Sequence, residues 1–166
     1  MISIYFLIYS TRYLIYIFQG DLKMYKKILL PTDGSKYSEN AEQHALFLAE
    51  KSGAEIIALS VIENGFSIGL PSDDTIYEIN QMLKEETKQN LKRVEEIRDE
   101  VDSSIKVTSL VKEGSPAAVI LDVAEDEDVD LIVIGSSGKT GFDRFLMGSV
   151  ASKVVKSAKC SVLVVN

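Results

Sequence analysis

Four glycines lie close together between residues 135 and 149, in a segment that also carries hydroxyl and basic side chains. The segment reads GSSGKTGFDRFLMGS, and its last two residues are Gly148 and Ser149. Glycine lets a backbone approach a phosphate without interference from a Cβ atom, and the first turn of a helix offers unpaired N–H groups. If Gly148 and Ser149 open a helix, this segment has the composition of a phosphate-binding loop.

Side chains of the same segment could add hydrogen bonds to a bound anion. Ser136 and Ser149 carry hydroxyl donors, and Lys139 and Arg144 carry positive charge. The two basic residues are equally well explained as solvated loop charges. A loop that only connects two elements does not require Gly-Ser at the start of the next helix, so the pattern favours phosphate binding.

Two standard phosphate-binding motifs are absent from this sequence. A Walker A loop needs a glycine five residues before Gly138-Lys139, and Val133 of an apolar run stands there instead. The dinucleotide pattern G-x-G-x-x-G does not occur anywhere in the chain.

A second candidate segment is Pro31-Thr32-Asp33, which follows the apolar run at 27–31. Asp33 could bind a ligand, or it could only cap the following turn, as Asp commonly does. His44 has no Ser, Cys or acidic constellation around it and is interpreted as a surface or partly packed residue. Cys160 is interpreted as a small buried hydrophobe.

The elements that must position these segments alternate along the chain. Apolar runs predict strands, and amphipathic stretches with helix-start and helix-stop residues predict helices. The predicted strands are 27–31, 54–62, 105–112, 130–135 and 161–165, and the predicted helices are 38–52, 75–101, 116–127 and 148–157. This order predicts an α/β fold: a doubly wound, five-stranded parallel sheet with helices on both faces. Ligands bind such sheets at the carboxyl ends of the strands, where both candidate segments lie.

Composition limits the classes of partner. The chain has 166 residues, enough for one domain, and a net charge of -7 with a pI of about 4.8. Such an acidic chain gains little from counterion release, so general nucleic-acid binding is not expected. One Cys and one His exclude a disulfide framework and a Cys/His zinc cluster within one chain. A reducing, cytoplasmic compartment is consistent with this.

Residues 1–23 differ from the rest, because fifteen of them are apolar or aromatic. Three interpretations stay open: a membrane anchor, disfavoured by Arg12 in mid-segment; a secretory signal, disfavoured by the lack of a basic start and a cleavage site; and an extension upstream of a start at Met24. We favour the extension, and a membrane partner is not expected. If the segment is ordered, we expect it to pack on a partner chain.

The spacing G-x2-G-x9-G-[ST], at Gly135, Gly138, Gly148 and Ser149, resembles the ATP-binding branch of the universal stress protein family. The resemblance covers about residues 25–166 and includes Pro31-Thr32-Asp33 and the closing apolar strand. It implies an adenine-nucleotide alpha-hydrolase-like fold for a nucleotide-binding domain at 24–166.

The resemblance also implies where a nucleotide would lie. Pro31, Thr32 and Asp33 would be at the adenine and ribose, and backbone groups of Val61 would face the adenine edge. The residues implied on the other side, toward the ribose and phosphates, are Ile134, Gly135, Ser136, Gly138, Lys139, Gly148, Ser149 and Val150. Ala151 stands where a Thr is often found in the family, so one hydroxyl contact is missing.

The implied function is ATP binding, with Mg²⁺ or Mn²⁺, by a homodimeric regulatory or stress-response module. The dimer would pair the last strands, Val162–Val165, an apolar edge that needs a cover. No convincing general base is present beyond Asp33, so at most slow hydrolysis is expected. Two alternatives stay open: an ATP-dependent hydrolase or transferase, and a nucleotide-free interaction or chaperone-like dimer. The loop at 63–75 is expected to be mobile.

Overall fold

The structure is a computed structural model that describes residues 8–10, 13–15, 25–63, 73–138 and 147–166. Two short strands, β1 (Ile8–Ser10) and β2 (Tyr13–Ile15), pair antiparallel with each other. The remaining described ranges form one parallel sheet and the helices that cover it. The predicted mobile loop lies mostly outside the described residues, and Lys139 and Arg144 lie wholly outside them.

Five strands make up the main sheet, and all of its pairings are parallel. Their order across the sheet is β5-β4-β3-β6-β7. The bounds are β3 (Lys27–Pro31), β4 (Glu55–Ile62), β5 (Val107–Glu113), β6 (Leu131–Gly135) and β7 (Ser161–Val165).

Four helices connect or cover the strands of this sheet in the described ranges, at α1 (Lys36–Ser52), α2 (Asp73–Val101), α3 (Pro116–Asp126) and α4 (Ser149–Ser157). These elements confirm the predicted α/β architecture with its five-stranded parallel sheet. The sequence placed the start of α1 at Ser38, two residues late, because it missed the N-cap. Ser35 is the N-cap, and its side-chain oxygen accepts a hydrogen bond from the backbone N–H of Ser38.

The sheet separates two apolar cores, as expected when successive side chains of a strand point to opposite faces. In β3, Ile28 and Leu30 pack with α1 and α2, whereas Leu29 packs on the other face with α3 and α4. All three side chains are completely buried. Burial on both faces explains why the central strands β3 and β6 are continuous apolar runs and not alternating ones.

Strand order reverses at the centre of the sheet. The chain runs outward from β3 through β4 to β5, and then resumes on the other side of β3 with β6 and β7. The chain therefore leaves the carboxyl ends of β3 and β6 toward opposite sides of the sheet. This is a topological switch point, the usual location of ligand sites in open α/β sheets. The two candidate segments of the sequence follow these two strands.

The described ranges contain no helix that is both long enough and apolar enough to cross a membrane. The three interpretations of residues 1–23 stay predictions, because only β1 and β2 of that segment are described.

Candidate functional site

The first wall of the site is the turn that follows β3. The backbone N–H of Thr32 donates to the carbonyl of Leu59 over 2.8 Å, so Thr32 continues the pairing with β4 beyond the end of the strand. Asp33 then turns the chain toward α1, and its Oδ1 accepts from the N–H of Ser35 at 3.0 Å. Asp33 thus caps the turn with one carboxylate oxygen.

The second wall is Gly135, where β6 ends against α1. A Cβ atom on Gly135 would lie 2.7 Å from the carbonyl carbon of Tyr37 and 2.9 Å from the N–H nitrogen of Ser38. Both obstacles are backbone atoms of the first turn of α1, which a side-chain rotation cannot move. Glycine is therefore required here for the helix and the strand to approach each other.

Gly138 brings the two candidate segments together. A Cβ atom on Gly138 would lie 2.7 Å from Asp33 Oδ2, the carboxylate oxygen that does not cap the turn. The absence of a Cβ atom at position 138 therefore lets this oxygen lie close to the backbone of the glycine. The Asp33 carboxylate and Gly138, which are about a hundred residues apart in sequence, therefore lie side by side at the switch point.

The third part of the site is the start of α4. The N–H of Gly148 donates to the carbonyl of Ser136 at 2.8 Å. This hydrogen bond places the start of α4 next to the residues that follow β6. Gly148 is the N-cap and has no side chain, so no side-chain oxygen caps this helix, and its first turn contains no acidic residue. The N–H groups of that turn have no acceptor within the helix and lie at the positive end of its dipole.

The other predicted residues lie around this surface with different exposures. Pro31 and Ile134 are buried at the ends of β3 and β6, so they can offer only backbone groups. Val61 is partly buried near the end of β4. Ser149 is exposed and Val150 partly buried at the start of α4.

Ser136 is tied to the end of the chain by two hydrogen bonds. Its N–H donates to the carbonyl of Val165 at 2.6 Å, and its hydroxyl donates to Asn166 Oδ1 at 3.1 Å. Ala151 is almost completely buried in the core formed with α3. The side chain at position 151 therefore fills the core in this chain.

Glu42 is a functional candidate that the sequence interpretation missed. This residue of α1 has no exposed surface, and its Oε1 accepts from Thr32 Oγ1 at 2.6 Å. A charged side chain on an amphipathic helix is usually assigned to the solvated face, so only the cover provided by α2 reveals the burial of Glu42. Burial raises the pKa of Glu42, against the lowering effects of the Thr32 hydrogen bond and of Arg93.

The remaining ionisable candidates are peripheral. His44 is exposed on α1, and its Nδ1 lies 2.8 Å from the carbonyl oxygen of Asn40. Cys160 is partly buried against the core on the side of α3 and α4, and burial raises the pKa of its thiol. The described residues contain no group of three or more acidic, His or Cys side chains arranged to hold a metal ion.

The fold and the site define a doubly wound α/β domain with an uncapped helix start and a carboxylate at its switch point. The sequence profile of the universal stress protein family matches residues 24–166. The chain is 40% identical over 163 residues to the universal stress protein MJ0531 of Methanocaldococcus jannaschii, which covers 97% of this chain and 95% of that protein. The chain therefore belongs to the universal stress protein family.

Solved structures agree with this assignment. The structure of MJ0577 from the same organism superposes with a TM-score of 0.73 at 36% identity, covering 86% of this chain and 96% of that one. Universal stress protein UspA from Lactobacillus plantarum gives the same TM-score at 26% identity, covering 86% and 98%. Two more distant members of the same fold, at 24% and 21% identity, were solved in complex with cAMP and dAMP.

We expect Gly135→Ala and Gly138→Ala to differ in their effect on stability. The alanine at 135 meets backbone, so the free energy of unfolding should fall by about 1–3 kcal/mol, as in other overpacked sites. The alanine at 138 meets a side-chain oxygen, which can move at the expense of one hydrogen bond from Ser35, so its cost should stay below about 1 kcal/mol. Urea unfolding of both variants measures the difference, and equal losses would contradict the close approach at Gly135.

The pH dependence of stability should reveal the buried carboxyl group of Glu42. Its pKa is raised above the ordinary 4.5 in the folded protein. Its contribution to stability is therefore fully present below that ordinary pKa and is lost as the pH rises through the folded-state pKa. The groups that face this carboxyl are Thr32, Asp33, Glu39 and Arg93. Glu42→Gln cannot ionise, so its Tm relative to the unmodified protein should be higher at pH 8 than at pH 4.5.

The measurement is Tm against pH for both proteins, with Glu100→Gln, an exposed residue of α2, as the control. A change of about 2–4 °C corresponds to roughly 1 kcal/mol at this chain length, which is well within the resolution of the method. A Tm difference for Glu42→Gln that stays constant across the range would show that Glu42 has the same pKa in the folded and unfolded chain.

Proposed function

We propose that this chain binds ATP across the carboxyl ends of β3 and β6 and acts as a regulatory stress-response module with at most slow hydrolysis. The observation that carries the proposal is the approach of Asp33 to Gly138 beside the uncapped start of α4. A carboxylate and a set of backbone N–H donors are then available along one edge. A nucleoside phosphate carries complementary groups: the hydroxyl groups of its sugar can donate to the carboxylate, and its phosphates can accept from the N–H donors.

The sugar end of the proposed site is Asp33. Its Oδ1 accepts from the N–H of Ser35, which fixes the orientation of the carboxylate, and its Oδ2 lies close to the backbone of Gly138. An ionised carboxylate accepts hydrogen bonds only, so it is suited to the hydroxyl groups of a ribose. Thr32 and Pro31 lie behind it, and Val61 on the neighbouring strand offers backbone groups to a base.

The phosphate end is the start of α4. The N–H groups of its first turn need an acceptor, and the helix dipole favours a negative one. Gly148 places these donors beside the glycine segment, and the hydroxyl of exposed Ser149 can add a further hydrogen bond. Gly135, Ser136, Gly138 and Lys139 belong to the segment that would run along the phosphates, together with Ile134 and Val150 through their backbone.

The proposed metal ion, Mg²⁺ or Mn²⁺, would enter with the nucleotide. Mg²⁺ commonly keeps several waters and binds through substrate phosphates and one or two carboxylates, so a cage of protein ligands is not required. The ion would neutralise phosphate charge next to an acidic chain.

At most slow hydrolysis is proposed on the basis of two of the described carboxylates, Asp33 and Glu42. Asp33 has one oxygen engaged by Ser35, and Glu42 has no exposed surface. Neither is placed to activate a water at the phosphate end, which general-base catalysis requires. A bound nucleotide would then act by stabilising one conformation of the protein. The cAMP and dAMP complexes of distant family members support an adenine nucleotide as the first ligand to test.

The purified protein should contain or bind ATP. We expect denaturation of the fresh protein to release ATP or ADP detectable by mass spectrometry, and Mg-ATP at 100 times its Kd to stabilise the protein by about 2.7 kcal/mol. Asp33→Asn keeps the Oδ1 acceptor for Ser35 but loses the charge at the ribose, so affinity should fall roughly tenfold or more.

The matched control is Asp126→Asn, an exposed residue at the end of α3, which should leave affinity unchanged. Gly138→Ala should weaken ATP as Asp33→Asn does, because the new Cβ displaces the carboxylate. If nothing is released and Mg-ATP does not change the Tm, the glycine segment is structural, and the nucleotide-free dimer becomes the better hypothesis.

We also propose a cytoplasmic homodimer that pairs β7, Val162–Val165, with its copy. Among the described strands of the main sheet, β7 lies at an edge and pairs with β6 alone. The carbonyl of Val165 points to β6, where it accepts from Ser136, and main-chain groups alternate sides along a strand. The N–H and carbonyl of Val164 therefore point to the free edge and can pair with a second chain. Cys160 is the single cysteine, which is consistent with a reducing compartment.

Val164→Pro should convert the proposed dimer to a monomer. Proline removes an N–H that points away from β6, so the pairing of β7 inside the chain is kept while the outer pairing loses a donor. Val164→Thr keeps the N–H and is the matched control, expected to remain dimeric. Sedimentation velocity measures the mass of both, and a monomeric unmodified protein would contradict the proposal.

A further inference from the structure

Glu42 is the one ionisable side chain among the described residues that is completely buried. Burying a charge is costly unless the charge is paired and hydrogen-bonded, so such a residue requires an explanation. The carboxyl group of Glu42 is only partly hydrogen-bonded. Its Oε1 accepts a hydrogen bond from Thr32, whereas its Oε2 has no hydrogen-bond partner.

The Thr32 contact connects Glu42 to the proposed sugar end. The hydroxyl of Thr32 lies 2.6 Å from Glu42 Oε1, and the backbone N–H of Thr32 is held by β4. Thr32 is therefore fixed at two points, and Asp33 is the next residue. By accepting the hydrogen bond from Thr32, Glu42 therefore contributes to the position of the Asp33 carboxylate.

The other carboxylate oxygen faces α2. Arg93 Nε lies 3.5 Å from Glu42 Oε2, and the same guanidinium group pairs with Glu39 of α1. One turn earlier on α2, the amide of Asn90 occupies the place that a Cβ on Gly34 would take. Helix α2 therefore covers the turn after β3 at two points, and Glu42 is the residue that contacts both the turn and the helix.

We propose that Glu42 is a positioning residue of the nucleotide site, whose carboxyl group holds Thr32 and Asp33 in their binding geometry and links this turn to Arg93 of α2. The proposal rests on the proposed function. It adds a residue that does not touch the ligand and a helix whose position depends on the same carboxyl group.

Two substitutions separate the contacts of Glu42. Glu42→Gln keeps an amide oxygen that can accept from Thr32 but loses the charge that faces Arg93. Glu42→Leu has a similar volume and loses both contacts. We expect Glu42→Leu to weaken Mg-ATP binding about tenfold, with Glu42→Gln restoring most of the affinity. Thr32→Val removes the partner hydroxyl, so its combination with Glu42→Leu should weaken binding no further than either change alone.

Stability distinguishes positioning from a merely structural role. Replacing a buried ion pair by an apolar side chain of similar volume is often neutral or stabilising. The Tm of Glu42→Leu without ligand should therefore be equal to or higher than that of the unmodified protein, although its affinity is lower. Unchanged affinity, or a loss that Glu42→Gln shares in full, would overturn the assignment of Thr32 as the contact that matters.

Hydrogen exchange in the ligand-free protein keeps this test separate from the proposed function. In Glu42→Leu, the amides of Thr32 to Ser38 should exchange at least tenfold faster than in the unmodified protein and in Glu42→Gln. Glu100→Leu, at an exposed position of α2, is the control and should not change the exchange of this segment. Failure of the proposed function would appear as no ATP binding by the unmodified protein. Failure of this inference would appear as unchanged exchange in Glu42→Leu.

Discussion

The parallel pairing of β3 with β6 at the centre of the sheet is the constraint on which the candidate site depends. The two strands come from distant parts of the chain, and Ile28 of β3 lies opposite Leu131 of β6. Because both strands are buried on both faces, a slip of one residue would exchange the side chains of the two apolar cores. This register places the residues after Pro31 beside those after Gly135. The meeting of Asp33 with the glycine segment is thus a consequence of core packing.

The two helices that begin next to this edge, α1 and α4, differ in how the N–H groups of their first turns are capped. In α1, the hydroxyl of Ser35 accepts from the N–H of Ser38, and Glu39 supplies a negative charge to the first turn. In α4, the N-cap is Gly148, and the first turn has no acidic residue. The donors of α1 are in part satisfied within the chain, whereas the first-turn donors of α4 have no acceptor within their own helix. The contrast explains why an anion would select one helix start over the other.

The strand and helix pattern could be predicted from the sequence because the spacing of apolar residues, and the Gly and Pro residues at the ends of elements, are local signals. The glycine spacing also indicated two strand ends as candidate site positions, and the strand order places both of them at the switch point. The binding role of these residues stays a prediction. Glu42 could not be predicted, because its burial is produced by α2, whose Arg93 lies about fifty residues away in sequence. The N-cap role of Ser35 was missed for a smaller reason: Ser38 three residues later offered an equally good start.

The charges of this region are arranged along the edge in a way that gives the proposed site a direction. Asp33 faces the site at the β3 end with Glu42 behind it, and the charge of Glu42 is offset from behind by Arg93. The start of α4 contributes backbone donors at the other end. In the proposed complex, hydroxyl donors of the ligand therefore face Asp33, and its negative charge faces Gly148. In that complex, backbone N–H groups would do much of the anion binding, so a chain with a net charge of -7 would not need a basic surface to hold a phosphate.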